Sequence, residues 1–324
     1  MIETPTTLVL GAGASVAYGL PLNSELTSKL YRLSSSSEFG HRALITAGFG
    51  TAEITGFSEE FRASQALSID DFLTHRIDYS RIGKAAIAAI IREHESVGGL
   101  LQRPSVEDHW YMYLWGRLTD DASFEALNRN RLTVVTFNYD RSLEQYLTYA
   151  MGARFKRAPE ECSQRLSEGW VRIIHVYGKI VGDYGRKSNT PDEIQASLTD
   201  DALANLRVIP EGRNEDPVLS QARDALLRAE RICFLGFSFQ KLNLDRLAAR
   251  TSCTDLHYGQ TVRRPVWGTA YGLTERQIRQ AEQRCGVYAS GGLIPPPRSP
   301  QRHGFFDLQC LRLLRESLVL ESEA

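Results

Sequence analysis

Gly11, Ala12, Gly13 and Ser15 close the apolar run Thr6-Thr7-Leu8-Val9-Leu10, and these residue types in this order suit the binding of a phosphate. A strand that ends in glycines lets a pyrophosphate approach the backbone with no Cβ in the way, and a following helix turns its free N–H groups and positive dipole end toward the anion. The natural ligand of such a turn is a dinucleotide. The third glycine of the pattern G-x-G-x-x-G is replaced by Val16, and no acid stands in Tyr31-Arg32-Leu33-Ser34 to hold a ribose, so a dehydrogenase is disfavoured.

Three more apolar runs end in polar or small residues. Leu132-Thr133-Val134-Val135-Thr136-Phe137 leads into Asn138-Tyr139-Asp140, Arg172-Ile173-Ile174 into His175-Val176-Tyr177-Gly178, and Arg231-Ile232-Cys233-Phe234-Leu235 into Gly236-Phe237-Ser238-Phe239. Open α/β sheets bind ligands outside the carboxyl ends of their strands, so these residues are the candidates for chemistry. An amide such as that of Asn138 accepts from a water and donates to a sugar hydroxyl without carrying a charge that must be desolvated. Imidazoles titrate near neutrality, which makes His175 the candidate base. The alternative is that His175 and Tyr177, two apart on a strand, are only neighbours on one side of the sheet. A serine hydrolase fails at Gly236-Phe237-Ser238-Phe239-Gln240, where G-x-S-x-G requires a second glycine.

The elements that must hold these residues read as an α/β protein. Continuous apolar runs predict strands buried on both faces of a parallel sheet of about six strands with helices on both faces. Between them, a helix is expected from Asn23 or Ser24 to Leu33 with Ser24 as N-cap. Residues 38–129 read as a helical insertion, marked by the amphipathic patterns Ser68–Leu73 and Ile82–Ile91, and in it Trp110, Tyr113, Leu114 and Arg117 share a face. A further strand is expected over Pro265–Tyr271, a helix over Thr274–Arg284 and a last strand at Gly286-Val287-Tyr288. The proline-rich stretch Ile294–Pro300 reads as an extended connector to a C-terminal helix over Phe305–Leu318. The domains are then 1–290, Rossmann-like, and 291–324, connector and helix.

The chain has 324 residues, 42% hydrophobic and 24% charged, with a net charge of −1, a balance that points to neither a nucleic-acid backbone nor an anionic membrane. With no apolar run of membrane-spanning length and the first strand so near Met1, a cytoplasmic protein is expected. Cys162, Cys233, Cys253, Cys285 and Cys310 form no C-x-x-C pair, so free thiols and no metal are expected.

Taken together, Gly-Ala-Gly-Ala-Ser at 11–15, Thr-Phe-Asn-Tyr-Asp at 136–140, His-Val-Tyr-Gly at 175–178 and Gly-Phe-Ser-Phe at 236–239 resemble the sirtuin-like family. The closer resemblance is to the bacterial sirtuin-like NAD hydrolases of antiviral defence, which carry a helical insertion and a T-x-N-Y-D block. This resemblance implies a Rossmann-like sheet without a zinc ribbon, NAD as substrate, and cleavage to nicotinamide and ADP-ribose by a regulated effector of antiphage defence that depletes NAD. It implies catalytic roles for Asn138 and His175 and NAD contacts from Gly11, Ala12, Gly13, Ser15, Asp140, Gly236 and Ser238, with no metal. Asp140 would either cap the following helix or bond the nicotinamide amide. The implied partners are further copies of the chain or a defence protein such as a helicase-like ATPase. The chain lacks the paired C-x-x-C motifs of lysine-deacylating sirtuins, and Gly19-Leu20-Pro21-Leu22-Asn23 lacks the acid and arginine of their G-I-P-D-F-R segment, so protein deacylation is disfavoured. The family's histidine directly before glycine is Tyr177 here. A non-catalytic module that senses NAD or ADP-ribose is the alternative.

Overall fold

A computed structural model describes residues 1–184, 190–208, 216–249, 253–257, 260–287 and 303–321. The apolar runs become strands: β1 (Thr6–Leu10), β2 (Leu132–Thr136), β3 (Arg172–His175), β4 (Arg231–Leu235), the hairpin β5 (Thr254–His257) and β6 (Gln260–Arg263), then β7 (Val266–Thr269) and β8 (Gly304–Phe306). Six of them form one parallel sheet in the order β3-β2-β1-β4-β7-β8, while β5 and β6 pair antiparallel by themselves. All of β1 is buried, as a strand paired on both edges and covered on both faces must be. Leu10 lies opposite Thr136 on one side and Leu235 on the other, which brings the ends of β1, β2 and β4 level. The strand order runs outward from β1 one way and from β4 the other; with right-handed crossovers, the connections fall on opposite faces and leave a crevice between the two ends.

The interval between β1 and β2 is helical: α1 (Asn23–Tyr31), α2 (Phe39–Thr46), α3 (Thr51–Ser64), α4 (Ile69–His75), α5 (Ser80–His94), α6 (Val97–Leu101) and α7 (Trp110–Thr119). Its centre is α5, buried almost all round from Ile82 to Arg92, where Ala85, Ala86, Ala88 and Ala89 let neighbouring helices approach closely. After β2 come α8 (Ser142–Phe155) and α9 (Pro159–Ser167), after β3 come α10 (Asp200–Leu203) and α11 (Pro217–Arg228), and after β4 comes α12 (Lys241–Arg246). A capping box of Thr274 and Gln277 starts α13 (Glu275–Arg284), and α14 (Cys310–Ser317) follows β8. Among the described residues, no helix is long and apolar enough to cross a membrane.

Several boundaries differ from expectation. The helix expected directly after Ser15 is a pair of 3-10 turns, Ala12–Ala14 and Val16–Tyr18, and α1 starts at Asn23 with Leu22 rather than Ser24 at its N-cap. Gly286 and Val287 form the turn that ends α13, with Gly286 at φ +70° and the Val287 N–H donated to the Glu282 carbonyl. The sixth strand is Gly304–Phe306 instead, because Phe305 packs on Phe234 and Phe239 in the core, and the last helix therefore starts at Cys310 rather than Phe305. Tyr288 and the proline-rich stretch 294–300 lie outside the described residues. Of the face proposed on α7, Trp110 and Leu114 are buried, while Tyr113 and Arg117 bond Glu321.

Candidate active site

A cleft of ≈ 580 Å³ opens at the crevice between β1 and β4 and is lined from all four expected strand ends, together with α1, α4 and α14. The loops after β1 and β4 touch backbone to backbone. The Gly11 N–H donates to the Leu235 carbonyl and the Gly13 N–H to the Gly236 carbonyl, each at 3.0 Å. A Cβ on Gly13 would lie 2.8 Å from Gly236 Cα, and one on Gly236, which sits at φ +58°, would lie 2.0 Å from the Ala14 nitrogen. Only glycine fits that crossing. The N–H groups of Gly11 and Gly13 therefore face the β4 loop, and both residues line the cleft. Ala12, Gly236 and Ser238 line the cleft, with Ser238 exposed.

Asn138, 8% exposed, donates from Nδ2 to the Gly11 carbonyl at 3.0 Å and to Ser15 Oγ at 3.1 Å. Among the described residues nothing donates to its Oδ1. The amide thus ties the end of β2 to the loop after β1 while one acceptor remains for a ligand. Ser15 is buried and is not among the residues that line the cleft. It belongs to a buried network in which Ser142 meets Ser15 at 3.4 Å and Tyr111 at 2.7 Å, and donates its hydroxyl to Asp140. Asp140 also accepts the Ser142 N–H at 3.0 Å, so it steadies the start of α8 and lines the cleft at once. Burial pushes its carboxyl above the ordinary range, against the pull of the Ser142 hydrogen bonds.

His175 does not share the cleft with Asn138. Its Nε2 meets Glu144 Oε1 at 2.7 Å and its Nδ1 meets the Asn138 carbonyl at 3.2 Å, so both nitrogens face acceptors on the α8 side. Burial pushes the Glu144 carboxyl up, but His175, Lys179 and a backbone hydrogen bond outweigh it and hold the group down at about 2. The strict alternation that put His175 and Tyr177 on one side fails because β3 stops at His175. A turn closed by the Gly178 N–H onto the His175 carbonyl, with Gly178 at φ +73°, swings Tyr177 into the cleft.

Tyr177 is the centre of a second polar cluster that the strand-end pattern did not disclose. Its hydroxyl donates to Asn243 Oδ1 at 2.6 Å and accepts from Arg246, both on α12. Its ring stacks on Tyr139 at 6.0 Å, and the Tyr139 hydroxyl donates to Asp70 on α4. Asp70, Tyr139, Tyr177 and Asn243 all line the cleft. Asp70 stood within an amphipathic helical pattern, and Asn243 and Arg246 in an ordinary polar helix, so nothing local in the sequence set them apart. Above them the rim is apolar, with Val16, Leu22 and the 70% exposed Tyr271.

Among the described residues, no group of three or more His, Cys, Asp or Glu is placed to hold a metal ion. No curated protein matches the chain. Residues 132–281 match the family model of the SIR2-like domain, a stretch from β2 to α13 that carries Asn138, Tyr177, Gly236 and Asn243 and leaves Gly11–Ser15 and Asp70 outside it. Over that stretch the chain is similar to the SIR2-like domain.

Proposed function

We propose that the protein is an NAD glycohydrolase, cleaving NAD to nicotinamide and ADP-ribose. The observation that carries this reading is the Asn138 amide, an uncharged side chain fixed by two hydrogen bonds at the sheet edge of a nucleotide-sized cleft and within the stretch that is similar to a SIR2-like domain. Nicotinamide leaves a pyridinium as a neutral molecule, so the reaction requires a held ribose, a stabilised oxocarbenium-like centre and a placed water more than a strong acid. Asn138 Oδ1 accepts from a ribose hydroxyl or from that water, while its Nδ2 stays committed to Gly11 and Ser15. Ala12, Gly236 and Ser238 contact the diphosphate and the adenosine side, and Asp140 the nicotinamide amide. An enzyme that hydrolyses NAD without restraint would exhaust its own cell, so activity is held low until self-association or a partner, such as a helicase-like ATPase of an antiphage system, releases it. Incubation of the purified protein with NAD, with nicotinamide and ADP-ribose read by chromatography, tests the reading. Nicotinamide release that is lost in Asn138→Ala supports it.

A second reading, a non-catalytic sensor of NAD or ADP-ribose, is favoured by the engagement of both His175 nitrogens away from the cleft. NAD binding in a calorimeter with no nicotinamide released under any condition would decide for the sensor.

A further inference from the structure

Resting on the hydrolase reading, we infer that Asp70 is the catalytic base, the group that takes the proton from the water attacking the ribose. The carboxylates on the cleft wall are Asp70, Asp108 and Asp140. Asp140 takes the N–H and the hydroxyl of Ser142 on one oxygen and so serves the start of α8, and Asp108 takes Ser105 Oγ at 3.0 Å on one oxygen within its own turn; Asp70 differs in that its donor comes from the segment that carries Asn138. Asp70 holds one donor, the Tyr139 hydroxyl on Oδ1, and among the described residues nothing donates to its Oδ2.

The side chains around Asp70 fix its place. Tyr139, which delivers that hydrogen bond, is the residue next to Asn138, so the carboxylate and the amide are coupled through one backbone step. The Tyr139 carbonyl in turn accepts the Ile180 N–H at 3.0 Å. Behind it, the Tyr177 hydroxyl is clamped between Asn243 and Arg246, and Arg246 reaches Thr74 Oγ1 at 3.3 Å. Thr74 Oγ1 donates to the Asp70 carbonyl at 2.6 Å, closing the circuit on α4. A carboxylate held on a short helix by a network from three other segments is preorganised for a single task. His175, the other candidate, does not line the cleft, and its nitrogens meet Glu144 and the Asn138 carbonyl.

The step balances without a co-reactant. The C1′–N1 bond breaks with its electron pair going to the nicotinamide nitrogen, the water oxygen bonds to C1′, and the proton released passes to Asp70 Oδ2 and then to solvent. The reverse attack differs in one respect, because nicotinamide returns to C1′ through a nitrogen lone pair and releases no proton. A base is therefore needed for hydrolysis and not for exchange.

That difference supplies the experiment. Hydrolysis of NAD and incorporation of labelled nicotinamide into NAD are measured side by side for the parent and for Asp70→Asn, which keeps the shape and still accepts from Tyr139. Hydrolysis is expected to fall roughly 10²- to 10⁴-fold, the range for loss of a positioned base, while exchange continues at the parent's rate. In Asp70→Ala, added formate is expected to restore hydrolysis by supplying a carboxylate to the gap. If Asp70→Asn matches the parent in both reactions, or slows both equally, and formate rescues nothing in Asp70→Ala, the role is overturned while the hydrolase reading stands. A parent that catalyses neither reaction overturns the hydrolase reading and this role with it.

Discussion

Asn138→Ala removes a side chain that does two things, and both should be measurable. Turnover of NAD is expected to vanish with the Oδ1 acceptor. Loss of the Nδ2 bonds to Gly11 and Ser15 should also cost about 1–3 kcal/mol of stability, visible as an earlier denaturant midpoint. His175→Ala is expected to show the opposite emphasis. It removes the nearer of Glu144's two charged partners and leaves Lys179 at 3.3 Å, so the cost should stay below the roughly 3 kcal/mol of a buried pair broken outright. Glu144 is held at about 2 against an ordinary 4.5, so its contribution is fully present above the ordinary range and is lost as the pH falls from 4.5 toward 2. The stability gap between parent and His175→Ala should therefore be widest near neutrality and shrink across that acid window in denaturation curves taken at a series of pH values. NAD cleavage should be affected less than stability, since the imidazole does not face the ligand. A gap independent of pH would contradict the pairing.

At the scale of elements, the meeting of the β1 and β4 loops is a close backbone-to-backbone joint. Gly13→Ala places a methyl against the Gly236 backbone, and overpacking of this kind costs about 1–3 kcal/mol. The variant should lose thermal stability before any question of ligand arises, in contrast to a substitution that merely blocks a phosphate. Chemical denaturation of the unliganded variant checks this, and an unchanged midpoint would show that the loops part easily. The strand ends were legible because strands buried on both faces announce themselves as unbroken apolar runs, as in Leu132–Thr136 and Arg231–Leu235. The last strand was not, because Gly304–Phe306 is three residues long and only its packing on Phe234 and Phe239 makes it a strand. The alternative that sets His175 and Tyr177 on one side of the sheet meets a related limit: alternation holds only as far as the strand does, and the turn at Gly178 lies just beyond it. Asp70 was invisible because its significance depends on Tyr139, 69 residues away in the chain.

For the whole molecule, the order β3-β2-β1-β4-β7-β8 places the nucleotide cleft where the sheet changes direction, so a bound ligand bridges its two halves. NAD binding should consequently stabilise the entire fold, by about 2.7 kcal/mol at a ligand concentration 100 times the dissociation constant. The exposed Tyr271 offers its ring at the rim, and Tyr271→Ala should weaken NAD binding by roughly 1–3 kcal/mol, the range for losing an aromatic stacking partner, without moving the melting temperature of the free protein. Calorimetry and thermal melts with and without NAD test both expectations together.

The cleft wall is built from residues between Gly11 and Leu311, the segment Leu308–Leu311 among them. During translation the glycine loop and Asn138 emerge long before that wall exists. A nascent chain still short of Leu311 lacks part of the cleft's lining. On the proposed hydrolase reading, the order of synthesis acts as a safeguard: a fragment released early lacks this part of the cleft, and the site is complete only once Leu308–Leu311 has folded into place.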